Sequence, residues 1–219
     1  MKKLSLALVL VLICSLFTSA MAETFSLSYV RSKTDWYEIE DQGSHAFVSS
    51  KLTPAELCFH HKYDSTVKYS RTYFDMLVLD YNTASEYPVN RLWLVYNSEN
   101  GFQNFDSVTF HINGTDYTFT GVGNADRRTV DNGTYRESLV IKFGWDNLTF
   151  LSALEKLIPS EFEELDNIKI SVTLHGKEDI EIELGGMFIM DFMFFREAMF
   201  KTNAVDYLHK ADTTPLTVK

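Results

Sequence analysis

Cysteine is scarce: the 219-residue sequence holds two. Cys14 falls inside an N-terminal apolar run and Cys58 stands alone in the remainder. Once the run is removed no internal disulfide can form, and stability has to come from packing. Later hydrophobic runs are short. The richest, Met187 to Phe195, is interrupted by Asp191 and followed by Arg196-Glu197. A bilayer-crossing helix takes about 20 apolar residues, so the mature chain is expected to be soluble, with no integral membrane span. Basic residues are outnumbered 20 to 30 by acidic ones, for a net charge of −10. Such a surface repels phosphate backbones, which argues against a nucleic-acid partner. There is no G-x-S-x-G elbow for a serine hydrolase. There is no phosphate-cradling glycine loop either, because Gly121-Val122-Gly123-Asn124 leads into a turn and a strand, not a helix. Nor does a Pro-, Gly- or Ser-rich linker or an internal repeat divide the chain, which predicts one domain.

What is present starts with Met1-Lys2-Lys3, an apolar stretch from Leu4 to about Leu16, and small residues at Ser19-Ala20-Met21-Ala22 before Glu23. A charged start, an apolar core and an A-x-A site predict a cleavable signal peptide over residues 1–22. The expected product is exported to a periplasm, a cell surface or the medium, and it is more acidic still, because Lys2 and Lys3 leave with the leader. Its domain is expected over 23–210, with a loose polar tail over 211–219.

The strongest local signal is the run Val108 to Phe119, two alternating segments joined by Asn113-Gly114. Asn-Gly favours a two-residue turn with positive φ at both positions. Closing it pairs Ile112 with Thr115, Phe110 with Tyr117 and Val108 with Phe119, so the large apolar side chains share one face, and sets His111 across from Asp116 on the other. A second hairpin is predicted from Ile168, Ile170, Val172 and Leu174 against Ile180, Ile182 and Leu184. Its odd loop is centred on Lys177, with Gly176 expected in the left-handed region and Glu181 and Glu183 on a solvated face. Further strands are expected over Phe25–Val30, His45–Ser49, Arg71–Tyr81, Arg91–Tyr96 and Tyr135–Phe143. Helical spacing predicts a short helix near 147–158, with Asn147 as its N-cap and a turn capped by Ser160 and Glu163 after Pro159. Phe188, Phe192, Phe195 and Met199 line up for a C-terminal helical segment near 188–208. Its first half is apolar on most sides and could begin as a strand; it is expected to be core, or else a Met/Phe surface for a partner. These elements predict a mainly-β, single-domain antiparallel β-sandwich.

The order Ile112-Asn113-Gly114 to Phe119, then Arg127-Arg128, Glu137-Ser138-Leu139-Val140-Ile141, a short helix over Leu151–Leu157, and Ile170 to Gly176 resembles small bacterial secreted or lipoprotein β-sandwich proteins of unknown function. The resemblance implies the same fold and no particular chemistry.

Cys58-Phe59-His60-His61 is where nucleophile-grade and base-grade side chains crowd together. On a strand Cys58 and His60 would share a face, as for a thiolate–imidazole pair or two metal ligands. Thr53-Pro54-Ala55-Glu56 could instead open a helical turn and rearrange that geometry; the simpler reading is a buried structural cysteine with partly exposed histidines. Arg127-Arg128, flanked by Asp126 and Asp131, is expected in a loop, with local charge pairing or a small anion site as its role. Trp36, Tyr37 and Trp145 lie in polar contexts where a ring could be exposed to stack on a sugar, whereas Trp93, inside Leu92–Tyr96, is expected in the core. The sequence therefore favours a non-catalytic binding or interaction module of the cell envelope, with a protein or carbohydrate partner and no cofactor. The alternatives are a secreted metal-dependent or thiol hydrolase centred on Cys58, His60 and His61, and a structural envelope protein self-associating through 187–200.

Overall fold

The structure, a computed structural model, describes residues 24–61, 70–79, 87–122, 124–130, 133–210 and 212–219, and only the backbone of His60, His61, Asn124 and Ala125. Residues 1–22, where a leader is expected, and Asp131 lie outside the described residues. A short helix α1 (Ser28–Ser32) leads into β1 (Tyr37–Asp41), β2 (His45–Ser50), β3 (His60–His61), β4 (Arg71–Leu79), β5 (Tyr87–Ser98), β6 (Ser107–Ile112), β7 (Thr115–Thr120), β8 (Asn124–Thr129) and β9 (Tyr135–Lys142). A 3-10 turn (Trp145–Asn147), helix α2 (Leu148–Glu155), a second 3-10 turn (Phe162–Asn167), β10 (Lys169–His175), β11 (Ile180–Gly185), α3 (Gly186–Lys201), a third 3-10 turn (Ala204–Lys210) and β12 (Leu216–Val218) complete it. The strands form two antiparallel six-stranded sheets, ordered β1-β2-β4-β5-β9-β8 and β12-β7-β6-β10-β11-β3. The fold is mainly β, two-sheet and sandwich-like, as the alternation predicts. No helix among the described residues is long and apolar enough to cross a membrane.

Both hairpins hold their expected registers. Ile112 pairs with Thr115, Phe110 with Tyr117 and Val108 with Phe119, and Asn113 and Gly114 both take positive φ, +50° and +77°. In the second hairpin Leu174 pairs with Ile180 and Val172 with Ile182, centring the loop on Lys177. Gly176, however, is not left-handed. It is glycine for space: a Cβ there would sit 2.6 Å from the Gln103 carbonyl oxygen.

The inner faces of the sheets do not close on each other with β residues alone. Phe188 of α3 packs on Phe74 of the first sheet at 5.2 Å and on Phe110 of the second at 6.4 Å, measured between ring centroids. Phe150 of α2 reaches Phe110, Phe119 and Phe143. Each well-oriented aromatic pair is worth about 0.5–1.5 kcal/mol beyond its buried area, so this phenylalanine cluster binds sheet to helix to sheet. The 187–200 segment is therefore a helix, with Phe188, Phe192, Phe195 and Met199 buried as their spacing predicts.

Five further expectations are corrected. Phe25–Val30 is no strand: the chain turns into α1, anchored by the Ser26 N–H on the Thr202 carbonyl at 3.0 Å. The 211–219 tail is not loose, because Leu216–Val218 pairs with β7 and the Thr120 N–H bonds the Pro215 carbonyl. Arg127 and Arg128 stand on β8, paired with Glu137 and Arg136 of β9, and not in a loop. Asn147 precedes α2 but does not cap it; its side chain accepts the Gly144 N–H at 2.9 Å and donates to the Thr214 carbonyl at 3.0 Å. The turn after Pro159 starts from Glu161, without the Ser160 cap.

Candidate functional site

Alternation along β4 and β5 sends Phe74, Met76, Leu92 and Leu94 into the core and Arg71, Tyr73, Asp75, Arg91 and Trp93 to the outer face of the first sheet. There they stack as a ladder. The Arg71 guanidinium lies over Tyr73 at 5.0 Å, Tyr73 is parallel to Trp93 at 6.0 Å and 7°, and Arg91 lies between Trp93 at 5.0 Å and Phe47 at 5.2 Å. Arg91 also donates to both Asp75 oxygens, at 2.8 and 2.5 Å, and both residues are buried. Burial pushes the Asp75 carboxyl up, and the Arg91 guanidinium works against that shift. The ladder floors a cleft of 370 Å³ bordered by Glu38 and Glu40. Tyr73 and Trp93 each carry a guanidinium and the other ring against them, which leaves little of either ring for a sugar to stack on. Trp93, expected in the core, belongs to this outer face.

A second concavity, of 580 Å³, runs beside α3. The core takes the Phe188 face of the helix, while Met190, Met193 and Phe194 line the groove together with Trp36, Ile158 and Phe162. Trp36 is 43 % exposed, Phe162 63 % and Phe200 53 %. The rim is charged but internally matched. Arg196 pairs with Glu155 and lies over Phe200, and Glu197 accepts the Tyr29 hydroxyl at 2.5 Å. That hydrogen bond, more than burial, pushes the Tyr29 phenol up to about 12.

The expected site residues are dispersed. Trp36 lines the groove, with Lys33 Nζ 5.0 Å above its ring and Phe194 beside it. Tyr37 is buried, not a surface ring: it packs on Tyr29 and Phe194, and its hydroxyl donates to the Phe194 carbonyl at 3.0 Å. Trp145 is exposed but is not part of the groove wall. Arg127 lies over Phe102 at 4.2 Å, and Asp126 pairs with Arg128 and Arg136, the charge pairing expected there.

Cys58 is half-buried, and its thiol donates to the Pro54 carbonyl. Thr53 and Glu56 cap each other across the turn, which is the helical alternative to a continuous strand. The side chains of His60 and His61 lie outside the described residues. His111 bonds Asp116 and Thr173, and His175 bonds Thr109 and Asp179. Among the described residues no three His, Cys, Asp or Glu side chains cluster as metal ligands would.

The sequence missed Ile158 and Phe162, which come to the groove from another segment; its signal for Met190, Met193 and Phe194 was the apolar residue left over on α3 once the core stripe was subtracted. No protein-family model, no curated protein and no solved structure matches the chain.

Proposed function

We propose that the chain is an exported, non-catalytic binding module that engages a partner protein through the groove beside α3. The observation that carries this is the double use of one helix. A helix with one buried face is ordinarily polar on the other. Here the outward face places half-buried Met190, Met193 and Phe194 in the wall of a groove beside the exposed rings of Trp36, Phe162 and Phe200. Contiguous apolar surface of this kind marks an interaction site, and methionines suit one because they re-pack around different shapes. The groove is partly open to solvent, whereas small-ligand pockets enclose most of their ligand, which favours a protein ridge or helix as occupant. The arginine ladder argues against sugar stacking on the first sheet.

The hydrolase alternative centred on Cys58, His60 and His61 draws no support from the described geometry, in which the thiol is engaged by the Pro54 carbonyl.

The test uses anilinonaphthalene sulfonate, a fluorescent apolar probe, on the folded chain. Probe fluorescence should rise with native protein and fall to background in Met193→Glu, with the unfolding midpoint unchanged. No signal from the native protein, or a signal indifferent to Met193→Glu, overturns the proposal.

A further inference from the structure

The first sheet has two edges, and they carry opposite charge. At one edge β1 presents Glu38, Glu40 and Asp41, all exposed. At the other, β8 presents Arg127 and Arg128, both exposed, with Arg136 of β9 directly behind, Asp126 beside them and the buried Glu137 paired with Arg127 on the inner side. Among the described residues β1 pairs only with β2, and β8 only with β9. Each edge therefore offers a row of backbone donors and acceptors to a further strand.

Two geometric facts decide what strand would fit. The sheet has six strands in strict antiparallel alternation, so β1 and β8 run in opposite directions. A copy of the chain shifted sideways without rotation then lays its β8 antiparallel against β1 and continues the sheet. In addition, Glu38 and Glu40 leave the sheet on the same face as Arg128 and Arg136: register places Glu38 beside Ser49, Ser49 beside Asp75, Asp75 beside Arg91, and Arg91 beside Lys142, two positions along β9 from Val140 and so on the face shared with Arg136. Across such a seam acids meet guanidiniums on one surface. The two-fold alternatives, β1 on β1 or β8 on β8, bring like charge against like and are disfavoured.

We propose that copies of this chain associate head to tail, the β1 edge of one adding to the β8 edge of the next, with Glu38 and Glu40 facing Arg128 and Arg136. This interface is separate from the groove and does not depend on it. A junction of this kind is heterologous and does not close, so it extends to an open chain of subunits, not a dimer.

Sedimentation velocity on the full chain at low ionic strength tests this. The mean mass should climb with concentration past that of a dimer and fall back when salt is raised, because exposed charges are screened. Glu38→Lys with Glu40→Lys, at exposed positions, should remove the association, and so should Arg127→Glu with Arg128→Glu. Should the latter pair unfold on losing the Arg127–Phe102 contact, Arg128→Glu alone should weaken association at least tenfold. The decisive arm mixes the two reversed proteins: each alone is monomeric, yet both of their mutual junctions are complementary, so the mixture should regain open-ended association. A wild-type chain that stays monomeric overturns the proposal. Association that survives both edge reversals overturns it as well, and its loss in Met193→Glu would then move the contact to the groove.

Discussion

Asp191 of α3 accepts the backbone N–H of Phe74 at 2.6 Å. The β2·β4 ladder ends at the pair Ser49 and Asp75, so the Phe74 N–H has passed the last strand residue able to receive it, and the helix supplies the acceptor. The other Asp191 oxygen takes the Ser50 hydroxyl, the last residue of β2. One carboxyl thus ties the helix to the point where two strands part. Its burial pushes the pKa up to about 7, against the lowering effect of the Ser50 and Phe74 hydrogen bonds.

That shift sets the sign of a pH dependence. An unfolded aspartate ionises near 3.8, while the native one holds its proton to about 7. Between those values the native state binds more protons than the unfolded state, so stability falls as pH rises through the window and levels off above it. In Asp191→Asn an amide oxygen can still accept the Phe74 N–H, and no charge is formed. The difference in urea midpoint between wild type and Asp191→Asn should grow from pH 4 to pH 7 in favour of the variant. A constant difference across the window would refute the assignment. Asp191→Leu orphans both donors and should cost about 1–3 kcal/mol at pH 4, where no charge has yet formed on the wild-type carboxyl.

Arg91→Leu should be among the most damaging single changes on the outer face. It leaves the Asp75 carboxyl buried without its cation and removes the rung between Trp93 and Phe47. Breaking a buried pair from one side costs about 3–5 kcal/mol. Chemical denaturation measures this, and the double variant Asp75→Asn with Arg91→Leu should recover part of the loss.

Gly186→Ala tests helix propensity against space. Replacing glycine in a helix interior ordinarily stabilises by about 1 kcal/mol, and by less at the first residue of a helix, where Gly186 stands. At Gly186 a Cβ would collide with the backbone carbonyl of Leu165, which a flexible side chain cannot relieve. The variant should therefore lose stability, by about 1–3 kcal/mol, and a gain in melting temperature would show that the 3-10 turn at Phe162–Asn167 can shift aside.

Asn90 is fully buried on the inner face of β5, and among the described residues neither side-chain amide atom has a hydrogen-bond partner. Asn90→Leu keeps the volume and removes the desolvated amide, so the unfolding midpoint should stay level or rise. A marked fall would show that the amide holds an internal water.

Where periodicity and turn chemistry act locally, the sequence was a faithful guide. Asn113-Gly114 determined the register of β6 and β7 down to the His111–Asp116 contact at 2.7 Å. The edges were harder. Tyr37–Asp41 and Asn124–Thr129 carry so much charge that alternation is hidden, and that charge reflects their place at the sheet margins. Leu216–Val218 has three residues and a distant partner, so nothing in its neighbourhood announces a strand. The site failed for a related reason: Cys58, His60 and His61 attracted attention by adjacency in the chain, whereas the groove is assembled from Trp36, Ile158, Phe162 and Met190–Phe200, which only tertiary packing brings together.

The Phe25 N–H reaches the Tyr207 hydroxyl across 182 positions of sequence, and the Asn203 side chain reaches the Thr24 carbonyl across 179. Contacts of that span form only after the intervening chain is ordered, and the entropy of closing so large a loop slows their formation. Synthesised from its first residue, the polypeptide cannot seat α1 or complete β7·β12 until nearly all of it has emerged. Until then the two sheets lack the helix that fills the space between them, so the fold is completed from its C-terminal end.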